Sequence, residues 1–155
     1  MRALFNKLFV LPLVVLLAAC SSAPAAPAAT NGGSGGAPQG QLRIVTTVSP
    51  ITNIAYNIAG DKAQITGIVP EGVNSHTFEP APSDAKVLAG ADLIFANGLR
   101  LEEPTLKLAE ANLKPDAEIV LLGEQTITPD QYVYDFSFPK EAGSPNPHLW
   151  PNPVF

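Results

Sequence analysis

Two side chains in this sequence are suited to hold a cation, His76 and His148, in a chain of 155 residues with a single Cys and a single Met. His76 sits in Asn74-Ser75-His76-Thr77-Phe78-Glu79-Pro80, and His148 in Asn146-Pro147-His148-Leu149-Trp150-Pro151. Imidazole is the commonest protein ligand for divalent transition metals, and two rings at one edge make a partial site. Nearby prolines hold each loop's backbone and reduce what must be ordered on binding. The competing reading is two unrelated loop histidines bonded to backbone. Position alone does not choose between them, and two nitrogens fall short of the four ligands, or three plus water, that zinc takes.

Other chemistries find less support. The chain has no HExxH, no CxxC, no Gly-rich phosphate loop and no GxSxG. A metallo-hydrolase needs a base beside a complete three-ligand set, and Glu79, three residues from His76, fits loop packing better. Ser75 and His76 are sequence neighbours without an orienting carboxylate, so they make no catalytic dyad. The chain does not read as an enzyme. Nine Lys and Arg against 14 Asp and Glu give a net charge of −5, the wrong sign for a nucleic-acid partner. One Cys excludes a disulfide framework and thiolate-rich clusters.

The elements that must position the two rings follow from hydrophobic period. Leu42 to Val48 is β-branched and reads as a strand. Ser49 and Pro50 then look like a cap and a first helical residue, with Ile51, Ile54, Ala55 and Ile58 at helical spacing up to Gly60. Ala63 to Val69 is a second strand, and Ser83 is expected to cap a helix that ends at Gly90. Asp92 to Ala96 is a third strand. Glu102-Glu103-Pro104 opens a third helix, with acids at its positive end, that runs to about Asn112. Glu118 to Leu122 is a fourth strand. Strands alternating with short helices imply an α/β fold, a small open parallel sheet flanked by helices with right-handed crossovers. Ligands in such sheets bind outside the carboxyl ends of the strands, where both histidine loops emerge. Between Thr126 and Asn146 the pattern dissolves, and the alternating Tyr132, Tyr134, Phe136 and Phe138 are open to three readings: a covering loop or edge hairpin, local core, or a contact patch. Local core is the expected one.

Residues 1–19 read as a secretory leader. Arg2 and Lys7 precede an apolar run from Leu8 to Ala19, about 18 Å of helix against a hydrocarbon core of about 30 Å. Leu17-Ala18-Ala19-Cys20-Ser21-Ser22 resembles the bacterial lipobox, which predicts a lipid on Cys20 and an extracytoplasmic chain anchored to the membrane. Loss of Arg2 and Lys7 with the leader leaves 7 cations against 14 acids, so the lipid and not the surface charge must do the holding. Residues 20–41 form an Ala/Pro/Gly/Ser spacer without charge or branched aliphatic residues until Leu42, a disordered linker by composition. The folded domain is expected over 42–155.

Three stretches in order carry a family likeness: Ser75-His76-Thr77-Phe78-Glu79-Pro80-Ala81-Pro82-Ser83-Asp84, then Ala91-Asp92-Leu93-Ile94-Phe95-Ala96-Asn97-Gly98 with Leu101-Glu102, then Pro147-His148-Leu149-Trp150. From about Arg43 onward the chain resembles the zinc/manganese-specific solute-binding lipoproteins of ABC transporters. The resemblance implies capture of a divalent metal outside the cytoplasmic membrane and delivery to an ABC-type permease. It matches His76 and His148 to the family's two first-lobe ligands, and the two-imidazole set favours zinc over manganese. The family usually carries Asp-Pro-His at both ligands. Here Asn74 and Asn146 stand in the Asp places, and Asn152 stands where an Asp is common after the Trp. These changes predict less negative charge near the metal and the loss of acceptors for the imidazoles. Zinc-type members often add a His-rich loop before the second ligand, and Thr126 to Asn146 has none. The resemblance also implies a second lobe with the remaining ligands. The sequence therefore reads as the N-terminal lobe, expected to bind metal weakly alone and to expose apolar surface. Two alternatives stand beside this: a lipid-anchored adhesin or scaffold without metal transport, and a truncated, non-functional remnant.

Overall fold

The computed structural model describes residues 40–154. The leader, Cys20 and nearly all of the 20–41 spacer lie outside the described residues. Four strands, β1 (Leu42–Thr46), β2 (Ala63–Gly67), β3 (Leu93–Ala96) and β4 (Glu118–Leu121), form one sheet in the order β2-β1-β3-β4. All three pairings are parallel, with Ile44 opposite both Ile65 and Leu93, and Leu93 opposite Glu118. The α/β reading with an open parallel sheet is therefore correct.

Alternate residues of the strands feed two apolar layers. On one face Ile44, Ala63 and Ile65 pack with Ala55 and Ala59 of α1 (Ser49–Ala59), along with Leu93 and Phe95. On the other, Val45 and Ile94 meet Leu88 of α2 (Asp84–Gly90) and Ala109 of α3 (Glu103–Asn112), with Ala91 and Ile68 completing the layer. Coverage on both sides explains why the strands read as nearly continuous apolar runs. A third cluster of Val48, Ile51, Val69 and Leu101, bordered by Phe78, Leu122 and Trp150, lies beneath the loops at the carboxyl edge.

Several local expectations change. Val48, not Ser49, is the residue before α1, and its side chain makes no cap bond. Ser83 does precede α2, but in helical conformation and without a side-chain cap; the Asp84 carboxylate takes the Ala81 N–H instead, at 2.8 Å. The fourth strand ends one residue early, because Leu122 begins a short helix, α4 (Leu122–Thr126), where no element was expected. Beyond it lie two 3₁₀ turns, Pro129–Gln131 and Lys140–Ala142, and no hairpin strand. The aromatics of this loop are not core: Phe136 is 100% exposed, and Tyr132, Tyr134 and Phe138 are only partly covered.

The turn after β3 is the most constrained backbone in the fold. Gly98, Leu99 and Arg100 all have positive φ, at 75°, 51° and 64°, a conformation rarely adopted by residues with a Cβ. The Glu124 carboxylate of α4 holds it by accepting the Leu99 N–H at 2.8 Å, and Leu99 itself is buried. Gly123 packs under the same turn. A Cβ there would lie 2.6 Å from Leu99 Cγ and 2.8 Å from the Asn97 carbonyl oxygen. Gly123→Ala is expected to cost about 1–3 kcal/mol, read as a lower urea midpoint at unchanged slope.

Candidate metal centre

The loop leaving β2 delivers His76. Gly72 takes a positive φ of 77°, and the Asn74 side-chain oxygen accepts the His76 N–H at 3.0 Å, a local turn that Asn side chains favour. The ring is exposed. His148 arrives from beyond β4 at the far end of the sheet order. Its backbone N–H donates to Asn146 Oδ1 at 3.0 Å, repeating the Asn-x-His turn of the first loop. The two rings meet: His76 Nε2 and His148 Nε2 are 3.1 Å apart, with ring centroids separated by 5.1 Å. Nitrogens bound to one tetrahedral zinc at about 2.0–2.1 Å lie about 3.3–3.4 Å from each other. The observed separation suits a shared ion with little movement.

Aromatic side chains wall the pair. Phe138 stands 5.7 Å from His76 and 5.6 Å from His148, centroid to centroid, and Trp150 packs edge-on to His148 at 5.1 Å. The loop between Thr126 and Asn146 is thus a covering loop for the histidines. His148 has a lowered pKa, first through burial and then through the neighbouring His76, with Asp135 partly offsetting both. Burial and the second ring favour neutral imidazole, the form that binds metal.

Asn146 accepts more than a backbone bond. Its Oδ1 also lies 2.8 Å from His148 Nδ1, and its Nδ2 donates to Asp135 Oδ2 at 2.7 Å. The expected loss of an acceptor therefore does not occur at His148, because Asn146 supplies one. The Asp135 carboxyl is held below the usual range, mainly by that Asn146 bond. Its Oδ1 takes the N–H groups of Ser137 and Phe138 at 2.8 and 3.0 Å, which also places Phe138 on the rings.

Under the site lies a buried polar cluster. Glu102, 2% exposed, is turned into the protein instead of standing as a solvated acid at the start of α3. Its Oε1 accepts the Thr47 hydroxyl at 2.5 Å and the Asn97 N–H at 2.6 Å, while Oε2 has no partner. Burial pushes its pKa up, against those hydrogen bonds. Asn97 in turn donates from Nδ2 to the Pro147 carbonyl at 3.1 Å, one residue before His148. Thr47 and Asn97 follow β1 and β3, the strands between which the chain order reverses, so the sheet's switch point is filled by the group that anchors the His148 loop. Residue-level sequence reasoning missed this role. The one available signal was the placement of Asn97, Gly98 and Glu102 in one of the three stretches that carry the family likeness.

Among the described residues, no group of three or more His, Cys, Asp or Glu comes together as a metal shell. Glu79 is exposed and adds no third ligand to the pair. The pair offers two imidazole nitrogens 3.1 Å apart, and its sequence context bears on what they serve. Residues 44–155 match the family model described as "Zinc-uptake complex component A periplasmic".

The chain belongs to this family. The metal ABC transporter substrate-binding lipoprotein FimA of Streptococcus parasanguinis is 37% identical over 125 residues, 77% of this chain and 39% of that protein. The manganese ABC transporter substrate-binding lipoprotein PsaA of Streptococcus mitis is 37% identical over 153 residues, 95% of this chain and 45% of that protein. Among solved structures, the periplasmic zinc-binding protein TroA of Treponema pallidum superposes with a TM-score of 0.61 at 29% identity, over 72% of this chain and 38% of that one. A Mn-bound periplasmic metal-binding protein from Candidatus Liberibacter asiaticus gives 0.59 at 33% identity, over 71% and 38%. The chain thus spans less than half the length of the relatives it matches.

Proposed function

We propose that this protein captures a divalent transition-metal ion outside the cytoplasmic membrane and passes it to an ABC-type permease, with His76 and His148 as ligands. The observation that carries the reading is the 3.1 Å approach of the two Nε2 atoms from loops at opposite ends of the sheet order. Family membership adds the transport context, and relatives named as ABC transporter substrate-binding lipoproteins add the permease and the lipid anchor. Two imidazoles fill half of a tetrahedral shell, and the other positions go to water or to groups outside these 155 residues.

The donor set ranks zinc above manganese, because imidazole nitrogen binds zinc the more strongly of the two in the usual affinity order. Relatives named for manganese and solved neighbours described as Mn-bound and Cd-bound make the choice of ion an experimental question. Competition of the two ions for the purified chain tests it. Zinc is expected to displace equimolar manganese. Retention of manganese would overturn the zinc preference and leave divalent capture standing.

The anchor reading concerns Cys20 at the end of the leader, with residues 20–41 as the tether and 42–155 as the metal-binding lobe. Cys20→Ser is expected to move the protein from the membrane fraction to the soluble one. Continued sedimentation with membranes would contradict lipidation and favour an uncleaved apolar segment.

A further inference from the structure

The hydrogen bonds around Asn146 fix which way its amide faces. The His148 backbone N–H can only donate, so the Asn146 atom 3.0 Å from it is oxygen. The Asp135 carboxylate can only accept, so the Asn146 atom 2.7 Å from it is nitrogen. Both observations fix the same amide orientation independently. With Oδ1 facing the ring at 2.8 Å, His148 Nδ1 must carry a proton. In the neutral ring Nε2 then has a free lone pair, and the 3.1 Å separation suits a His76 Nε2–H donating to it.

We propose that Asp135 is a positioning residue that, through Asn146, holds His148 in the Nδ1–H tautomer and presents its unprotonated Nε2 to the metal. The consequence for metal rests on the reading of the histidine pair as a metal site; the tautomer itself does not. A carboxylate or amide bonded to the distal nitrogen of a metal-binding histidine sets ring orientation and basicity, and its loss commonly weakens binding about 10–100-fold. Here the negative group stands one amide away from the ring, on the covering loop.

The substitution that isolates the relay is Asp135→Asn. An asparagine there still offers an oxygen to the Ser137 and Phe138 N–H groups, so the turn survives. Its amide nitrogen then faces Asn146 Nδ2, donor against donor. Long-range ¹⁵N–¹H correlation spectra of the ¹⁵N-labelled chain above pH 7.5 read the tautomer, and with two histidines in the sequence assignment is simple. In the unsubstituted chain His148 is expected as Nδ1–H, and an Nε2–H ring would overturn the proposal without any variant. Asp135→Asn is expected to mix the tautomers and weaken zinc binding about tenfold. Combining it with Asn146→Asp reverses the polarity of the relay at constant net charge, and should restore both readouts. An unchanged tautomer in Asp135→Asn would overturn the proposal. Zinc that perturbs neither ring would overturn the metal reading, while the tautomer pattern would still support the relay.

Discussion

His148→Ala weakens zinc binding by at least about tenfold, measured by competition with a chromophoric chelator, and His76→Ala does the same. Each substitution removes one of two nitrogens 3.1 Å apart, leaving a monodentate site. An outer-sphere partner alone is worth about 10–100-fold, so tenfold is the floor for losing a ligand. The two single variants should resemble the double variant, because neither remaining ring chelates. Phe138 packs against both rings and Trp150 against His148, so truncating the part-buried His148 removes more packing, whereas His76 is exposed and its loss should disturb the fold less. The His76 variant is therefore the cleaner test of ligation. Affinity unchanged in both would refute the assignment.

Glu102→Ala carries the largest expected cost in stability, about 3 kcal/mol or more. The substitution removes the short bonds of a buried hydroxyl and a buried backbone N–H, at Thr47 and Asn97, leaving them only longer ones, at 3.5 Å to the Phe95 carbonyl and 3.3 Å to Thr47 Oγ1, and it opens a cavity in the buried cluster. Asn97 then loses its fixed position, and with it the hold on the Pro147 carbonyl that precedes His148. Glu102→Gln should be far milder, since its oxygen keeps both accepted bonds. The two proteins should differ in pH dependence. Burial raises the Glu102 pKa in the folded state, so folding favours its protonated form. Its contribution is fully present below the ordinary glutamate value and declines as pH rises through the higher folded value. Glu102→Gln lacks that slope. Urea unfolding at pH 4.5 and 7.5 should show the variant gaining on the parent at the higher pH; a gap that does not move would contradict a raised Glu102.

The sheet and its helices were legible because each strand is short, branched and bounded by turn residues, and each helix repeats apolar residues at helical spacing. Ile44 and Val45 show the limit of such patterning. They are adjacent, both buried, and feed opposite layers, so periodicity marks the strand without revealing which helix each residue meets. Helix α4 escaped notice because Leu122-Gly123-Glu124-Gln125-Thr126 is too short for a period and has a glycine near its start; Glu124 holds the Leu99 turn there. The covering loop is held by particular bonds, Asp135 to its own turn and the Asn146 N–H to the Val133 carbonyl at 2.8 Å, which alternating aromatics cannot encode.

At the site, the two rings were nameable from residue type, and their common edge followed from parallel pairing. Their contact depends on loops of irregular backbone, whose closure is set by Asn74 and Asn146 turns, the buried Glu102 cluster and Trp150. Glu102 shows why the rest stayed hidden: an acid at a helix start ordinarily serves the helix dipole, and only the tertiary fold reveals that this one faces inward to Thr47 and Asn97.

Zinc K-edge X-ray absorption of the untagged chain loaded with one equivalent of zinc tests the central claim most directly, because the sequence contains just two imidazoles. The expected spectrum shows two imidazole nitrogens per zinc at about 2.0–2.1 Å in a 1:1 monomeric complex. A zinc ion surrounded by oxygen alone, or by one imidazole, would contradict a shared ion between His76 and His148.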